Sequence, residues 1–581
     1  MSLHRLPPSP ISREEFARFL RRCVPPIGWT ERLAVGTSGG PDSTCLLFLI
    51  HRYLQDLHNE DSKRLPSAVV SLTVDHGMQD TSAAMAKHSA DYAKALGLQH
   101  ITTNIPWGTP PFPERPKSGE AFEGIARDAR YAVLFRAMTK SRADVIALGH
   151  QGNDQVETSL MRLARGTTEL GAGGMRRCRR WGMGADGGEG TLSWAGHEGM
   201  KRWIIRPLLE VSKDRMLATC DENKLEYIID PTNFQPELTL RNAIREMVSK
   251  NTFDPGELVA ASNLPKDIVK KLNQIQHGVA SLESVEMDPT AGPDQLRGAV
   301  AVLSEQVEDI DSLVDSAFTR CHLPSPIGSY LVSYRGLSTI RDPLVKRALV
   351  LRMMRYVSFH AWGALRADGN RRRNSINRII ECLWTPDPFS AGMTPFTAGG
   401  GVLWTPVLAG FGLRIPMGPG ASPGPGEIIA WLATRTLPFS VAKLERLGLP
   451  NPVRQDVTDQ LLPMLQNRHE NPGQVFHTLW DFRFVLRMDI DKIPDELAQG
   501  ILHAGERVAI YPNTRWIWPK VVRITGPTVK DEIVVHSAIS IPEQGLSDMD
   551  KATLNSAKEV NIEEITAPWV RTEWARSISA L

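Results

Sequence analysis

Leu33-Ala34-Val35-Gly36-Thr37-Ser38-Gly39-Gly40-Pro41-Asp42-Ser43 is the stretch whose reading decides the fold. It begins as an apolar β-type run, and the segment after it, Thr44 to Leu57, has helical character. A strand that turns through glycines into a helix start builds an anion site. Glycines let backbone N–H groups come close to an oxyanion, and the helix dipole favours negative charge at that end. Ser38 and Ser43 add hydroxyl donors, and Asp42 can accept from a ligand or hold a metal ion. The run lacks the Gly-Lys-Ser/Thr ending of the common phosphate loop, and it is not G-x-G-x-x-G. Ser38, Gly39, Gly40, Pro41, Asp42 and Ser43 therefore read as a nucleotide site.

The flanks set this loop in an α/β domain. Strand candidates Leu33–Thr37, Ala68–Val74, Gln99–Ile105 and Ala143–Leu148 alternate with helical segments Ser43–Leu57, Ala83–Leu96 and Glu120–Lys140. That order predicts a Rossmann-like parallel sheet with helices on both faces and ligands at the carboxyl ends of its strands. Asp75-His76 closes the second strand and Gly149-His150 the fourth, on the same edge as the loop.

The chain has 581 residues, 42% of them hydrophobic, enough for two to four domains. Its net charge of +2 excludes a uniformly basic nucleic-acid coat, so any such partner must use local patches. The six cysteines are scattered without a C-x-x-C pair, which argues against a zinc ribbon or disulfide framework. No apolar run approaches the roughly 20 residues that cross a bilayer, so no membrane partner is expected. Ser12 to Arg22 is amphipathic and Arg-containing, and reads equally as a mitochondrial presequence or as the first helix of the domain.

A second segment, Gly149-His150-Gln151-Gly152-Asn153-Asp154-Gln155-Val156-Glu157-Thr158, puts two carboxylates three residues apart on a helix face above the sheet edge. The pair suits either Mg²⁺ or a cationic amine. SGGxDS resembles the pyrophosphate loop of the ATP pyrophosphatases. GHxxxDQxET, followed by Leu163-Ala164-Arg165-Gly166-Thr167, resembles the signature of the tRNA(Ile)-lysidine synthetases. So do Glu123 to Tyr131 (E-x-x-A-R-x-x-R-Y), Arg206-Pro207-Leu208-Leu209, Asp230-Pro231-Thr232-Asn233 and Arg241-Asn242-Ala243-Ile244-Arg245. Asn153 stands where many members have Asp, and residues 173–202 interrupt the family core as a glycine-rich inserted loop.

The resemblance implies ATP and Mg²⁺ as cofactors, and L-lysine and tRNA(Ile) with a CAU anticodon as partners. It implies attack of a cytosine O2 on the α-phosphate of ATP, then attack of the lysine ε-amine on C2 with loss of AMP. Ser38 to Ser43 would cradle pyrophosphate, with Asp42 near Mg²⁺. Asp154 or Glu157 would anchor the ammonium, whose pKa is about 10.4, and take its proton, with contact assigned to Glu157 and chemistry to Asp154. Arg127, Arg130, Arg206, Arg241 and Arg245 suit phosphates or structural salt bridges, and His76, Gly149 and His150 suit the ATP rim or packing.

The expected division is a catalytic domain over 1–250, a helical tRNA-contacting domain over 251–390, a Pro/Gly-rich linker or loop zone over 391–425 and a mixed α+β domain of unassigned role over 426–581. Between Arg341 and Arg378 ten basic residues, Arg371, Arg372 and Arg373 among them, interleave with Tyr356, Phe359 and Trp362 as a phosphate-binding patch, against the plainer reading of a solvated helix face. Arg176-Arg177-Cys178-Arg179-Arg180 forms a second basic candidate. Rival readings are a tRNA thiolation enzyme, which the missing paired cysteines disfavour, and a non-catalytic tRNA-binding protein. The length and the Arg-containing start favour an organellar, mitochondrial setting over a bacterial cytoplasm. Oligomeric state is left open, a homodimer included.

Overall fold

The computed structural model describes residues 7–57, 65–78, 81–116, 122–184, 195–229, 239–249, 264–288, 292–364, 372–385, 394–410, 412–414, 422–449, 451–513, 516–526, 532–535, 539–540 and 567–581. Arg371 and the Asp230–Asn233 run lie outside them.

Helix α1 (Arg13–Arg21) precedes β1 (Arg32–Thr37), α2 (Pro41–Leu57), β2 (Ala68–Asp75), α3 (Ser82–Ala95), β3 (Gln99–Asn104), α4 (Phe122–Ser141), β4 (Val145–Leu148), α5 (Gly152–Leu163), α6 (Glu169–Ala172), β5 (Cys178–Arg180), β6 (Trp203–Ile205) and α7 (Lys213–Glu222). The sheet order is β3-β2-β1-β4-β6-β5, parallel except for the edge strand β5, which runs antiparallel to β6. Strand alternation divides the apolar residues between the two faces. Leu33, Val35, Val145 and Ile205 meet Leu46 and Ile50 of α2 on one face. Ala34, Ile146 and Ile204 meet Leu134, Phe135 and Met138 of α4 on the other.

Residues 173–202 were expected as an inserted loop, yet part of them completes the sheet as β5. Arg177 and Arg180 there are buried, Arg177 bonded to Glu210 and Glu308, Arg180 to the carbonyls of Met200 and Leu581. The Arg176–Arg180 run is thus spent on structure, because a buried guanidinium needs acceptors that a solvent-facing RNA patch would leave free.

Helix α1 is built into the same core. Ser12 caps it, Phe16, Phe19 and Leu20 are buried, and Arg215 of α7 forms a bidentate pair with Glu15 at 2.6 and 2.8 Å. Of the two readings of this segment, the structure has the domain helix.

Helices α8 (Leu240–Ser249), α9 (Lys266–Ala280) and α10 (Pro293–Cys321) pack with α5 around Leu160, Ile244, Leu272 and Leu303. Then follow β7 (His322–Leu323), β8 (Ser329–Ser333), α11 (Tyr334–Ser338), α12 (Pro343–Val357), α13 (Arg373–Leu383), β9 (Phe396–Ala398), β10 (Val402–Ala409), β11 (Leu413–Arg414) and β12 (Ile428–Arg435). The expected linker or loop zone over 391–425 is therefore corrected over Val402–Ala409: β10 is a buried strand paired with β12 along its whole length. The expected boundary between a helical middle and a separate C-terminal region is corrected too. One apolar core joins Phe318 and Met353 to Trp404, Trp431, Phe484 and Trp574. Among the described residues no helix is long and apolar enough to cross a membrane.

Because Phe16 is 1% exposed inside the core beneath the parallel sheet, Phe16→Ala should cost about 3–5 kcal/mol in equilibrium urea unfolding. A change below about 1 kcal/mol would show that α1 is an appendage.

Candidate functional site

The loop Ser38–Ser43 leaves β1 and enters α2 with its backbone tightly held. Ser38 N–H donates to Ser43 Oγ at 3.0 Å, Ser43 Oγ to Gly40 O at 3.2 Å, and Ile228 N–H to Gly39 O at 2.9 Å. Gly39 sits at φ +76°, and a Cβ there would lie 2.8 Å from Met85 O, so glycine is required twice over. A Cβ on Gly149, at the end of β4, would lie 2.9 Å from Asp42 O and 3.1 Å from Ser43 N. The two loops touch backbone to backbone.

Asp42 forms an ion pair with Lys213, the first residue of α7. Burial pushes the Asp42 carboxyl up, Lys213 opposes it, and the Asp154 charge adds to it. Among the described residues no cluster of three or more His, Cys, Asp or Glu could hold a metal. Asp42 offers a carboxylate oxygen of the kind Mg²⁺ takes, at present engaged by Lys213.

Asp154 closes a capping box at the start of α5: Gln151 N–H donates to its Oδ2 at 3.0 Å, while Asn153 N–H donates to Gln151 Oε1 at 2.6 Å. Glu157, one turn on, is 2% exposed and already engaged. Arg245 of α8 holds it at 2.8 and 3.1 Å, and Arg241 approaches at 3.4 Å. Burial and the neighbouring Asp154 raise the Glu157 carboxyl to about 7, with Arg245 and Arg241 pulling the other way. The expected contact between Glu157 and an amine is corrected on this geometry, since both its oxygens serve guanidinium groups.

His150 is held far below the usual imidazole range by burial and by Arg206, Arg241, Arg130 and Arg127, so the ring is neutral. Its Nδ1 and the Nε of Arg206 are buried atoms without a partner among the described residues. Arg206 Nη1 donates to Arg176 O at 2.9 Å. Tyr131 is lowered to about 8: burial raises it, and Arg206, Arg127, Arg179 and Arg130 outweigh that. Arg127 and Arg130 are exposed on α4, with the Arg127 guanidinium 5.6 Å from the Tyr131 ring centre. His76 is half-buried and its carbonyl accepts from Trp107 Nε1 at 2.9 Å.

The sheet edge thus brings together the Ser38–Ser43 loop, Gly149, His150, Asp154, Glu157, Arg206, Arg241 and Arg245. The phosphate patch expected between Arg341 and Arg378 fares differently. Tyr356 and Trp362 are buried, Arg352 is ion-paired with Asp311 and Asp315, and Arg355 stacks on Trp362 at 4.1 Å. Arg372 and Arg373, at the start of α13, are exposed.

Residues 11–252 match a PP-loop domain family. A tRNA(Ile)-lysidine synthase of Methylobacterium nodulans is 31% identical over 307 residues, 51% of this chain and 78% of that protein. The chain belongs to the tRNA(Ile)-lysidine synthase family. The Bacillus licheniformis member is 32% identical over 217 residues, 37% of this chain. That match spans 39% of the Bacillus protein's own length. Among solved structures, the U34-tRNA thiolase NcsA of Methanococcus maripaludis is matched at 17% identity and a TM-score of 0.29, over 47% of this chain and 81% of that one.

Two site residues of this family member escaped the sequence reading. Lys213 follows the RPLL segment by a short step and could have been flagged as a cation at a helix start, where the dipole disfavours it. Arg297, from α10, donates to Asn153 Oδ1 at 3.0 Å, and no local pattern announces a contact across 144 residues.

A carboxyl raised in the folded state binds more protons there than when unfolded, so its contribution is lost as pH rises between about 4.5 and 7. The urea stability of the parent protein should thus fall relative to Glu157→Gln by about 3 kcal/mol between pH 4.5 and 8. A difference that does not change with pH would show that Glu157 is ionised throughout.

Proposed function

We propose that this chain ligates L-lysine to C2 of the first-anticodon-position cytidine of tRNA(Ile) with a CAU anticodon. The reaction would consume ATP, pass through an adenylated cytidine, and yield AMP and pyrophosphate. The observation that carries this is the backbone contact between the Ser38–Ser43 loop and Gly149, which sets phosphate donors and the Asp154 carboxylate on one edge. Family membership supports the substrates.

In the first step the cytosine O2 displaces pyrophosphate from the α-phosphate, and charge accumulates on the phosphate oxygens. Ser38, Gly39, Gly40 and Ser43 offer N–H and O–H donors to the leaving group, with Lys213 beside them. Arg206 supports the α-phosphate role because its fork leaves Nε open and, among the described residues, its charge meets no carboxylate. Neutral His150 can donate a hydrogen bond without repelling those arginines, and Arg127 and Arg130 add exposed charge on the approach. Mg²⁺, when bound, would neutralise phosphate charge, with Asp42 as its ligand.

In the second step the ε-ammonium gives a proton to Asp154. The amine then bonds to C2 and the C2–O bond breaks, releasing AMP. Asp154 Oδ2 is fixed by the cap, and Oδ1 has no partner among the described residues, so it is the oxygen available to the amine. Glu157 fixes Arg245 and Arg241 behind it. Arg372 and Arg373 are proposed as tRNA phosphate contacts. A mitochondrial location rests on the chain's length and on the N-terminal composition, the latter in a stretch that here serves the core.

Nucleoside mass spectrometry on a CAU tRNA(Ile) transcript, incubated with the protein, Mg-ATP and lysine, should reveal cytidine plus lysine minus water. Asp42→Ala and Asp154→Asn should each lower the rate by about 100-fold or more. Pyrophosphate release with a sulfur donor, and none with lysine, would instead favour the thiolation reading.

A further inference from the structure

Helix α10 lies outside the catalytic sheet yet touches the site at two places. Near its start, Arg297 donates to Asn153 at the head of α5. About four turns later, roughly 21 Å along the axis, Asp311 reaches the segment behind Arg206. Between the two, the helix presses on the turn after α6: a Cβ on Gly173 would lie 3.0 Å from Leu303 O and 2.9 Å from a Val307 methyl.

Arg206 is held by two backbone carbonyls beside the Tyr131 phenol. Its own N–H donates to Arg177 O at 2.8 Å and its Nη1 to Arg176 O at 2.9 Å. The orientation of its open Nε therefore depends, alongside Tyr131, on where residues 176 and 177 place their carbonyls. Those two residues are pinned from outside the sheet by their side chains. Arg177 pairs with Glu210 at 2.6 Å and with Glu308 of α10. Arg176 pairs with Asp311. Asp311 in turn accepts from Arg352 of α12 at 2.9 Å, through both its carboxylate and its carbonyl, and Arg352 also reaches Asp315. Its side chain is 16% exposed, so the Arg176 and Arg352 pairs are shielded from solvent screening.

We propose that Asp311 is a positioning residue for Arg206, holding Arg176 so that its carbonyl orients the guanidinium toward the reacting phosphate. This rests on the reading of Arg206 given under Proposed function. The ion pair is not a general brace alone: it lies one residue from one Arg206 acceptor and on the same residue as the other. It also joins the site to α12, and through it to the C-terminal core, so the seating of that body bears on Arg206.

The test compares Asp311→Asn and Asp311→Glu in the parent and in Arg206→Lys. Asp311→Asn should lower kcat for tRNA-dependent pyrophosphate release by about tenfold, leave KM for tRNA unchanged and be largely rescued by Asp311→Glu. In Arg206→Lys the same change should cost nothing further, because the guanidinium it acts through is gone. Amide hydrogen exchange at Arg206, read in peptides spanning 203–209, should quicken in Asp311→Asn whether or not the protein turns over ATP. Unchanged exchange at Arg206, or an equal loss of kcat in both backgrounds, would overturn the proposal. If exchange quickens while Arg206→Lys keeps full activity, the phosphate role of Arg206 fails, and with it the catalytic half of the proposal.

Discussion

Everything at this site depends on a glycine that allows two loops to meet. Strands β1 and β4 are parallel neighbours, paired from Leu33 with Val145 to Gly36 with Leu148. The loops leaving their carboxyl ends must therefore cross within van der Waals reach. Gly149 makes room for the Asp42 carbonyl and the Ser43 N–H, and any side chain there would force α2 and α5 apart. With it, the phosphate donors of one loop and the carboxylates of the other become a single site.

Electrostatics then sorts the groups by what satisfies them. Arg245 is neutralised by Glu157, a pair whose desolvation is severe enough to raise the carboxyl to about 7. Arg206 is satisfied instead by a carbonyl and by the Tyr131 phenol, and burial lowers it to about 10. Hydrogen bonds to these acceptors hold the guanidinium without cancelling its charge, and leave Nε open. The remaining positive potential, shared with Arg127 and Arg130, adds to burial in keeping His150 neutral, lowers Tyr131, and favours an anionic ligand.

The rest of the chain is attached through buried arginines. Arg180 on β5 donates to the Leu581 and Met200 carbonyls. Arg576 donates to Phe482 O at 2.8 Å and Arg355 O at 3.3 Å. Each lies nine-tenths or more out of water, where charge-assisted bonds are little screened. Composition does not separate such arginines from RNA-binding ones, which is why buried Arg177, Arg180 and Arg352 read with their neighbours as phosphate patches.

The sequence by itself determined the catalytic fold and its phosphate loop, because both are local. Period-two apolar runs, helical segments and a glycine turn at a strand end are fixed by neighbours a few residues apart. It also placed His150, Asp154 and Glu157 on the loop's edge, since a parallel sheet sends every strand end the same way. Tertiary structure alone decided the partners. Glu157 faces Arg245 across 88 residues, Asp42 faces Lys213 across 171, and the Pro/Gly-rich stretch near 402 becomes a central strand only when β12 pairs with it. Those outcomes follow from which buried charges and unpaired backbone groups meet in space, and no short-range pattern encodes that meeting.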